Sequence, residues 1–202
     1  TILACADIEE AVVLRTAGVT AEILVFGALS VSDLGGVFEH DLTPTISTPG
    51  AGRSLQAAAA KHGIKLACHL KIDTGMHRLG FEEKDLKDLC KLLKALPQIK
   101  IKSVFSHLVG TDNPELDSFT NEQMRVFEKA AYLIEEAVAY PVLKHLCNSA
   151  GITRFKNAHF NMVRLGIGMY GIGVNDAEQK LLHNVGTLRT KISQIKEVPA
   201  GE

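Results

Sequence analysis

The sequence predicts an α/β fold made of repeated βα units around one parallel sheet. Three observations point there. Strand-like and helix-like segments alternate almost without a break, and parallel neighbours need such crossovers. Six or seven segments read as short, apolar strands of the kind a sheet covered on both faces requires. Helix start and stop signals fall between them. The pattern suits a (β/α)8 barrel lacking about one unit, or a doubly wound open sheet. No GxGxxG loop follows the first strand, which weighs against a dinucleotide-binding fold.

Taken in order, Ile2 to Ala6 is an apolar strand, and Asp7 then caps a helix with Glu10 completing a capping-box pattern. Gly18 closes that helix. Glu22 to Ala28 reads as a buried strand, Ser30 to Asp41 as a short helix weakened by Gly35 and Gly36, and Leu42 to Ile46 as a strand. Thr48-Pro49 opens an alanine-rich helix to Lys61, with Pro at its first position. Lys65 to Lys71 is a strand. Glu82 to Leu96 then places Leu86, Leu89, Cys90, Leu93 and Leu96 at helical spacing, with a solvated lysine stripe opposite. Ile99 to His107 is a strand, Leu116 to Ala139 a long helix, and Val142 to Asn148 a strand followed by a short helix from Ser149. Phe160 to Arg164 reads as a further strand, leading into the glycine-spaced run from Gly166 to Gly171. Thr190 to Glu202 reads as a strand running into a turn.

The bulk numbers narrow the function classes. The 202 residues suffice for one core, with 46% hydrophobic and 22% charged residues. A net charge of -1 favours neither nucleic acid nor an anionic membrane surface as partner. No apolar run is long enough to span a bilayer. Cys5, Cys68, Cys90 and Cys147 are widely spaced with no CxxC pair, which reads as reduced core cysteine in a cytoplasmic protein. The opening TILACADIEE has no basic leader and reads as the middle of something, so the chain is expected to be a fragment.

Position, more than residue type, points to a site. In a parallel α/β barrel chemistry sits where strands end and βα loops begin. Lys71 ends one strand, with Asp73 and Arg78 in its loop; His107 ends the next; Asn148 and Ser149 end the third; Arg164 ends the fourth. Singly each has a structural reading: a solvated lysine, a core histidine, Ser149 as a helix cap. Four polar strand ends in succession are expected to share one rim. Lys71, Arg78 and Arg164 face few acids, and an arginine does not shed its proton, so the rim requires an anion. Backbone N–H groups at Gly166 and Ile167, with Ser149 at a helix start, suit a phosphate. His69 and His77 lack a carboxylate at ligand spacing, and no metal is expected.

The run Lys71-Ile72-Asp73-Thr74-Gly75-Met76-His77-Arg78-Leu79-Gly80-Phe81 resembles the alanine racemase family. So do Ser106-His107-Leu108, the run from His145 to Ala150, and the run from Asn161 to Gly171. The resemblance covers essentially the whole chain. It implies a (β/α)8 TIM-type barrel, N-terminally truncated, over residues 1–183, and the first strand of a C-terminal β-rich domain over residues 184–202. It implies pyridoxal 5'-phosphate as cofactor, alanine as substrate in D-alanine supply for peptidoglycan, and a homodimer. Arg164 would face the cofactor's ring nitrogen and His107 would lie beneath the ring, touching Arg164. Asn148, Ser149, Gly166 and Ile167 would complete the cofactor site. Arg78 would contact the phenolic oxygen and the substrate carboxylate. Lys71 matches a position carbamylated in many members. The family's cofactor-bearing lysine would precede Thr1 and its opposing tyrosine base would follow Glu202, so the 202 residues alone are expected to be inactive. Position 77 departs from the pattern, with His where the family often has Asn or Gly. A racemase for serine or another amino acid, and a non-catalytic carrier of the cofactor on the same barrel, are the alternatives.

Overall fold

The computed structural model describes residues 1–201. They form two compact units, Thr1–Leu165 and the segment from Gly166 onward. Residues 166–183, which the sequence reading joins to the barrel, thus fall in the second unit.

In the first unit six strands pair in parallel: β1 (Ile2–Cys5), β2 (Glu22–Val25), β3 (Thr43–Ile46), β4 (Leu66–Lys71), β5 (Ile99–Phe105) and β6 (Leu143–His145). Their spatial order is their sequence order. A doubly wound sheet reverses order at a switch point; this sheet does not, which removes that alternative. It is also curled. Glu22 on β2 pairs with Lys102 on β5, and the rings of Phe26 and Phe105 lie 5.3 Å apart. In a flat sheet strands three places apart would be separated by roughly 14 Å.

Seven helices follow or connect the strands: α1 (Ile8–Thr16), α2 (Leu34–Glu39), α3 (Pro49–His62), α4 (Leu86–Lys94), α5 (Asp117–Val138) and α6 (Ser149–Arg154) in the first unit, and α7 (Asp176–Gln179) in the second. The predicted signals act where the sequence put them. Thr48 caps α3 through Ala51 N–H, and Gly63 ends it in the left-handed region at φ 66°. Asp7 caps α1 through Glu10 N–H, but the Glu10 carboxylate returns to Ala6 N–H rather than to the cap residue itself. Leu86, Leu89 and Leu93 of α4 and Phe127, Ala130 and Ile134 of α5 are buried against Cys68, Leu70, Ile101 and Val104 of the sheet. Burial of this apolar face supplies most of the driving force, at about 25 cal/mol per Å².

The opposite face of the sheet is polar. Thr43, Thr45, His69, Lys71, Ser103 and His145 are all buried there. Alternation puts His69 and Lys71 on one side of β4 and Leu66, Cys68 and Leu70 on the other. In β5 the alternation breaks: Cys68 pairs with Ile101 and His69 with Ser103, so Lys102 is an extra residue in a bulge. The bulge lets Lys102 and Ser103 both turn inward, the first to Glu22 and the second to His69 and His145.

Two predicted strands are not formed. Phe160 to Arg164 makes only an isolated bridge, Met162 to His145. Phe160 is left-handed at φ 46°, and the Asn161 side chain accepts from Lys144 N–H where a ladder carbonyl would. In the second unit, Ile167–Tyr170 is a 3-10 turn and Asn175 caps α7, whose Gln179 side chain holds Gly171 and Gly173. The predicted strand from Thr190 is absent through Gly201: those residues carry no regular structure, because a strand needs a partner ladder and none is present among the described residues. Ser30 to Asp41 is a 3-10 turn, Val31–Asp33, running into α2 rather than one helix. All four cysteines are free thiols, three of them buried. No helix among the described residues is long and apolar enough to cross a membrane.

Candidate active site

The loop after β4 is built around one carboxylate oxygen. Asp73 Oδ1 accepts from the backbone N–H groups of Gly75, Met76 and His77 at 2.9, 2.9 and 3.1 Å. The stems are closed by Asp73 N–H to Phe81 O and Phe81 N–H to Lys71 O. Gly80 has φ 115°, and a Cβ there would stand 2.8 Å from Asp73 N, so only glycine fits. His77 is left-handed at φ 54° with its side chain exposed. That conformation is one glycine and asparagine adopt easily and histidine tolerates, so the departure at this position leaves the backbone shape as it is.

A second set of bonds ties this loop to the next. Thr74 Oγ1 meets Ser106 Oγ at 2.8 Å. The Gln123 amide of α5, fully buried, donates to Thr74 Oγ1 and to His107 O, and accepts from Val109 N–H. Asn148 then links the third strand end. Its Nδ2 donates to Leu108 O, and its Oδ1 accepts from Thr111 Oγ1 and from Gly151 N–H. Asn148, not Ser149, is therefore the cap of α6, and Ser149 is its first helical residue. An amide at that place can cap and cross-link at once, which a serine hydroxyl of shorter reach cannot.

Arg164 stands at the centre. Its Nη1 donates to His145 O at 3.0 Å and lies 3.1 Å from His145 Nδ1. Its Nη2 donates to Ser106 O at 2.6 Å and Leu146 O at 3.0 Å, and lies 3.4 Å from His107 Nδ1. Phe105 stacks on His145 at 4.9 Å, with Lys71 Nζ 4.9 Å and Arg164 Cζ 5.7 Å from the Phe105 ring centre. Lys71, His107 and Arg164 thus share one rim, as the strand-end argument requires. Arg78 is exposed on the loop and close enough to act on Lys71.

The electrostatics follow from crowding cations with little counter-charge. Burial, then Arg164 and Arg78, push the Lys71 amine down to about 7, against Asp73. Burial, then Arg164, Lys71 and Arg78, push His107 down to about 4. Burial lowers Arg164 itself to about 10, so it keeps its charge at neutral pH. The site therefore offers a fixed guanidinium, a half-neutral amine and a neutral imidazole. Such a set suits an anionic, planar ligand. His145, His69, Ser103 and Gln123 escaped the site reading of the sequence. The signal for His69 and Ser103 was their period-2 placement with Lys71 on β4 and with Phe105 on β5; His145, at the end of the three-residue β6, carried no such signal. Gly166 and Ile167 lie in the second unit, at the start of its 3-10 turn.

A family described as alanine racemase, N-terminal domain, matches residues 1–174. The chain belongs to the alanine racemase family. Alanine racemase of Synechocystis sp. is 35% identical over 202 residues, covering 98% of this chain and 54% of that protein. The structure of alanine racemase from Bacillus anthracis with bound L-Ala-P is 31% identical with a TM-score of 0.78, covering 91% of this chain and 48% of that one. Alanine racemase from Bartonella henselae with covalently bound pyridoxal phosphate shares the fold at a TM-score of 0.75 and 24% identity, covering 86% of this chain and 49% of that one. The chain spans about half the length of the curated alanine racemases it matches. The parallel, sequentially ordered sheet is that of the family's barrel domain, and the fold is a truncated part of a TIM-type barrel.

Proposed function

We propose that the chain is the cofactor-binding barrel of a pyridoxal-phosphate-dependent alanine racemase that interconverts L- and D-alanine, working as a cytoplasmic homodimer. The carrying observation is Arg164, held by three backbone carbonyls and flanked by two imidazoles, in a site with three cationic side chains and one carboxylate. The donor set fits the cofactor: three cationic side chains share the single carboxylate of Asp73, and an anionic ring and phosphate would supply the counter-charge that one carboxylate leaves unmet.

Bound pyridoxal phosphate acidifies the α-proton of an amino acid by drawing electron density into its ring. The residues of this chain set how strongly it does so. Arg164 would donate a hydrogen bond to the cofactor's ring nitrogen without giving up a proton, so the ring would act as a weaker electron sink than one whose nitrogen is protonated. A weaker sink would favour prompt return of a proton to Cα over transamination. His107 would help hold the ring. Ser149, the first residue of α6 beside its Asn148 cap, would help hold the phosphate, the role that the family resemblance assigns to Gly166 and Ile167 as well. Arg78 orients the substrate carboxylate. The two proton-transfer bases that racemisation needs on opposite faces belong to the rest of the protein. The residues from 184 begin the β-rich domain. The exposure of Leu188, Ile192, Ile195 and Val198, apolar side chains in want of a partner surface, supports that reading.

The test is the full-length protein with pyridoxal phosphate in deuterated water. L-alanine should racemise with uptake of solvent deuterium at Cα, and borohydride should fix the cofactor to a lysine outside these 202 residues. Absence of exchange removes the racemase reading, and cofactor fixed on Lys71 removes the site assignment. Turnover of serine relative to alanine reads the side-chain preference.

Lys71 is assigned as a carbamate in the working enzyme. Its neutral amine adds to carbon dioxide, forming an N–C bond and releasing one proton, and the resulting anion pairs with Arg78. An amine held near 7 is free base often enough to react. Labelled bicarbonate should give a carbamate carbon signal in the wild type that is missing in Lys71→Met. No signal in the wild type overturns the assignment.

A further inference from the structure

We propose that Ser103, with His69 and His145, carries a one-way hydrogen-bond chain that starts at Arg164 and ends on a His69 Nε2–H facing Glu22, holding His145 in the tautomer the guanidinium requires, which makes Ser103 a positioning residue for the guanidinium. The direction of every proton follows from both ends of the chain. A guanidinium only donates. His145 Nδ1, 3.1 Å from Arg164 Nη1, must therefore accept, and a neutral ring then carries its proton on Nε2. That nitrogen is 2.9 Å from Ser103 Oγ and 3.4 Å from His69 Nδ1. Ser103 accepts from His145 and turns its own proton to His69 Nδ1 at 2.6 Å. His69 is left with its proton on Nε2, which has no hydrogen-bond partner but faces Glu22 Oε1 at 3.7 Å. A carboxylate only accepts, so this end demands the same direction. Lys102 and Thr43 hold that carboxylate in place.

The chain thus runs donor to acceptor from the cation at the rim to the His69 N–H that faces the partly exposed Glu22 carboxylate. Hydrogen bonds aligned in this way polarise one another. The opposite tautomer of His145 would set an N–H against the guanidinium. The three carbonyls fix where Arg164 sits; the chain fixes what its Nη1 meets. Ser103 is the joint, because a hydroxyl can accept from one ring while donating to the next. The bulge at Lys102 is what turns it inward.

The test uses full-length protein carrying ring-15N histidine. In the wild type His145 and His69 should each show one neutral tautomer, with Nδ1 bare and Nε2 protonated. Ser103→Ala should leave His69 divided between tautomers. It should also lower kcat by roughly tenfold with KM for alanine little changed, the value of one link in the chain. Ser103→Thr should restore the single-tautomer pattern. A wild-type His145 protonated on Nδ1, or on both nitrogens, overturns the proposal without any variant. A Ser103→Ala spectrum identical to the wild type does so as well. The turnover effect rests on the racemase reading; the ring-nitrogen signals do not, so deuterium exchange in the wild type separates the two failures.

Discussion

Arg164→Leu should be the most damaging single substitution, for folding and for cofactor binding together. Two effects oppose each other. Removing a charge with no carboxylate partner relieves a desolvation cost. Against this, Ser106 O, His145 O, Leu146 O and His145 Nδ1 lose their donor. Each buried acceptor left unsatisfied costs about 1–3 kcal/mol. With four orphaned at once the second effect wins, and the net loss should be about 3–5 kcal/mol. For a chain of this size that lowers Tm by about 10 °C or more. Urea unfolding of wild type, Arg164→Leu and Arg164→Lys separates the terms. Lysine keeps the charge but offers one nitrogen to acceptors arranged for a planar fork. If Arg164→Leu proves as stable as the wild type, the guanidinium is not the keystone of this rim.

Acidification should unfold the protein well above the usual carboxylate range. His69 and His107 are each pushed down to about 4 and His145 to about 2, burial being the first cause in all three. The unfolded chain takes up these protons near 6.5, before the folded one does. Stability present above 6.5 is therefore lost as pH falls from there toward about 4. Each site contributes a slope of up to about 1.4 kcal/mol per pH unit, so the three together should reach about 4 kcal/mol per unit. As the free amine, Lys71 acts with the same sign at higher pH: depressed to about 7 from 10.5, it makes stability rise with pH between those values, a contribution that carbamylation removes. Cys68 and Cys147, both raised by burial, offset that gain above about pH 9, where unfolded thiols ionise first. Urea midpoints at intervals from pH 4.5 to 9 read the curve directly. A flat profile between 6.5 and 4.5 would mean that the buried imidazoles are already charged in the folded state.

The elements were largely legible in the sequence because local chemistry sets them. Thr48-Pro49 and Gly63 bound α3, and the leucine stripe of α4 is the buried face. The rim was legible as strand ends, since Lys71, His107 and Arg164 need only the rule that βα loops share one side. What was not legible depends on contacts between distant segments. Ser103 looks like a polar interruption until the strand order places β4 and β6 on either side of it. Ile99, Ile101 and Val104 do break the two-residue period, and that slip marked the bulge. The strand at Phe160 to Arg164 misled because its composition is strand-like while the Asn161 side chain substitutes for the backbone ladder. Gln123 gave no signal at all: an amide on a long helix reads as solvent-facing.

The loop from Asp73 to Gly80 is zipped at its stems and organised from within about a single oxygen, so its shape owes little to what its tip carries. Side chains can therefore change at Met76, and at His77 among residues that accept a left-handed backbone, while the frame that aims the guanidinium stays as it was.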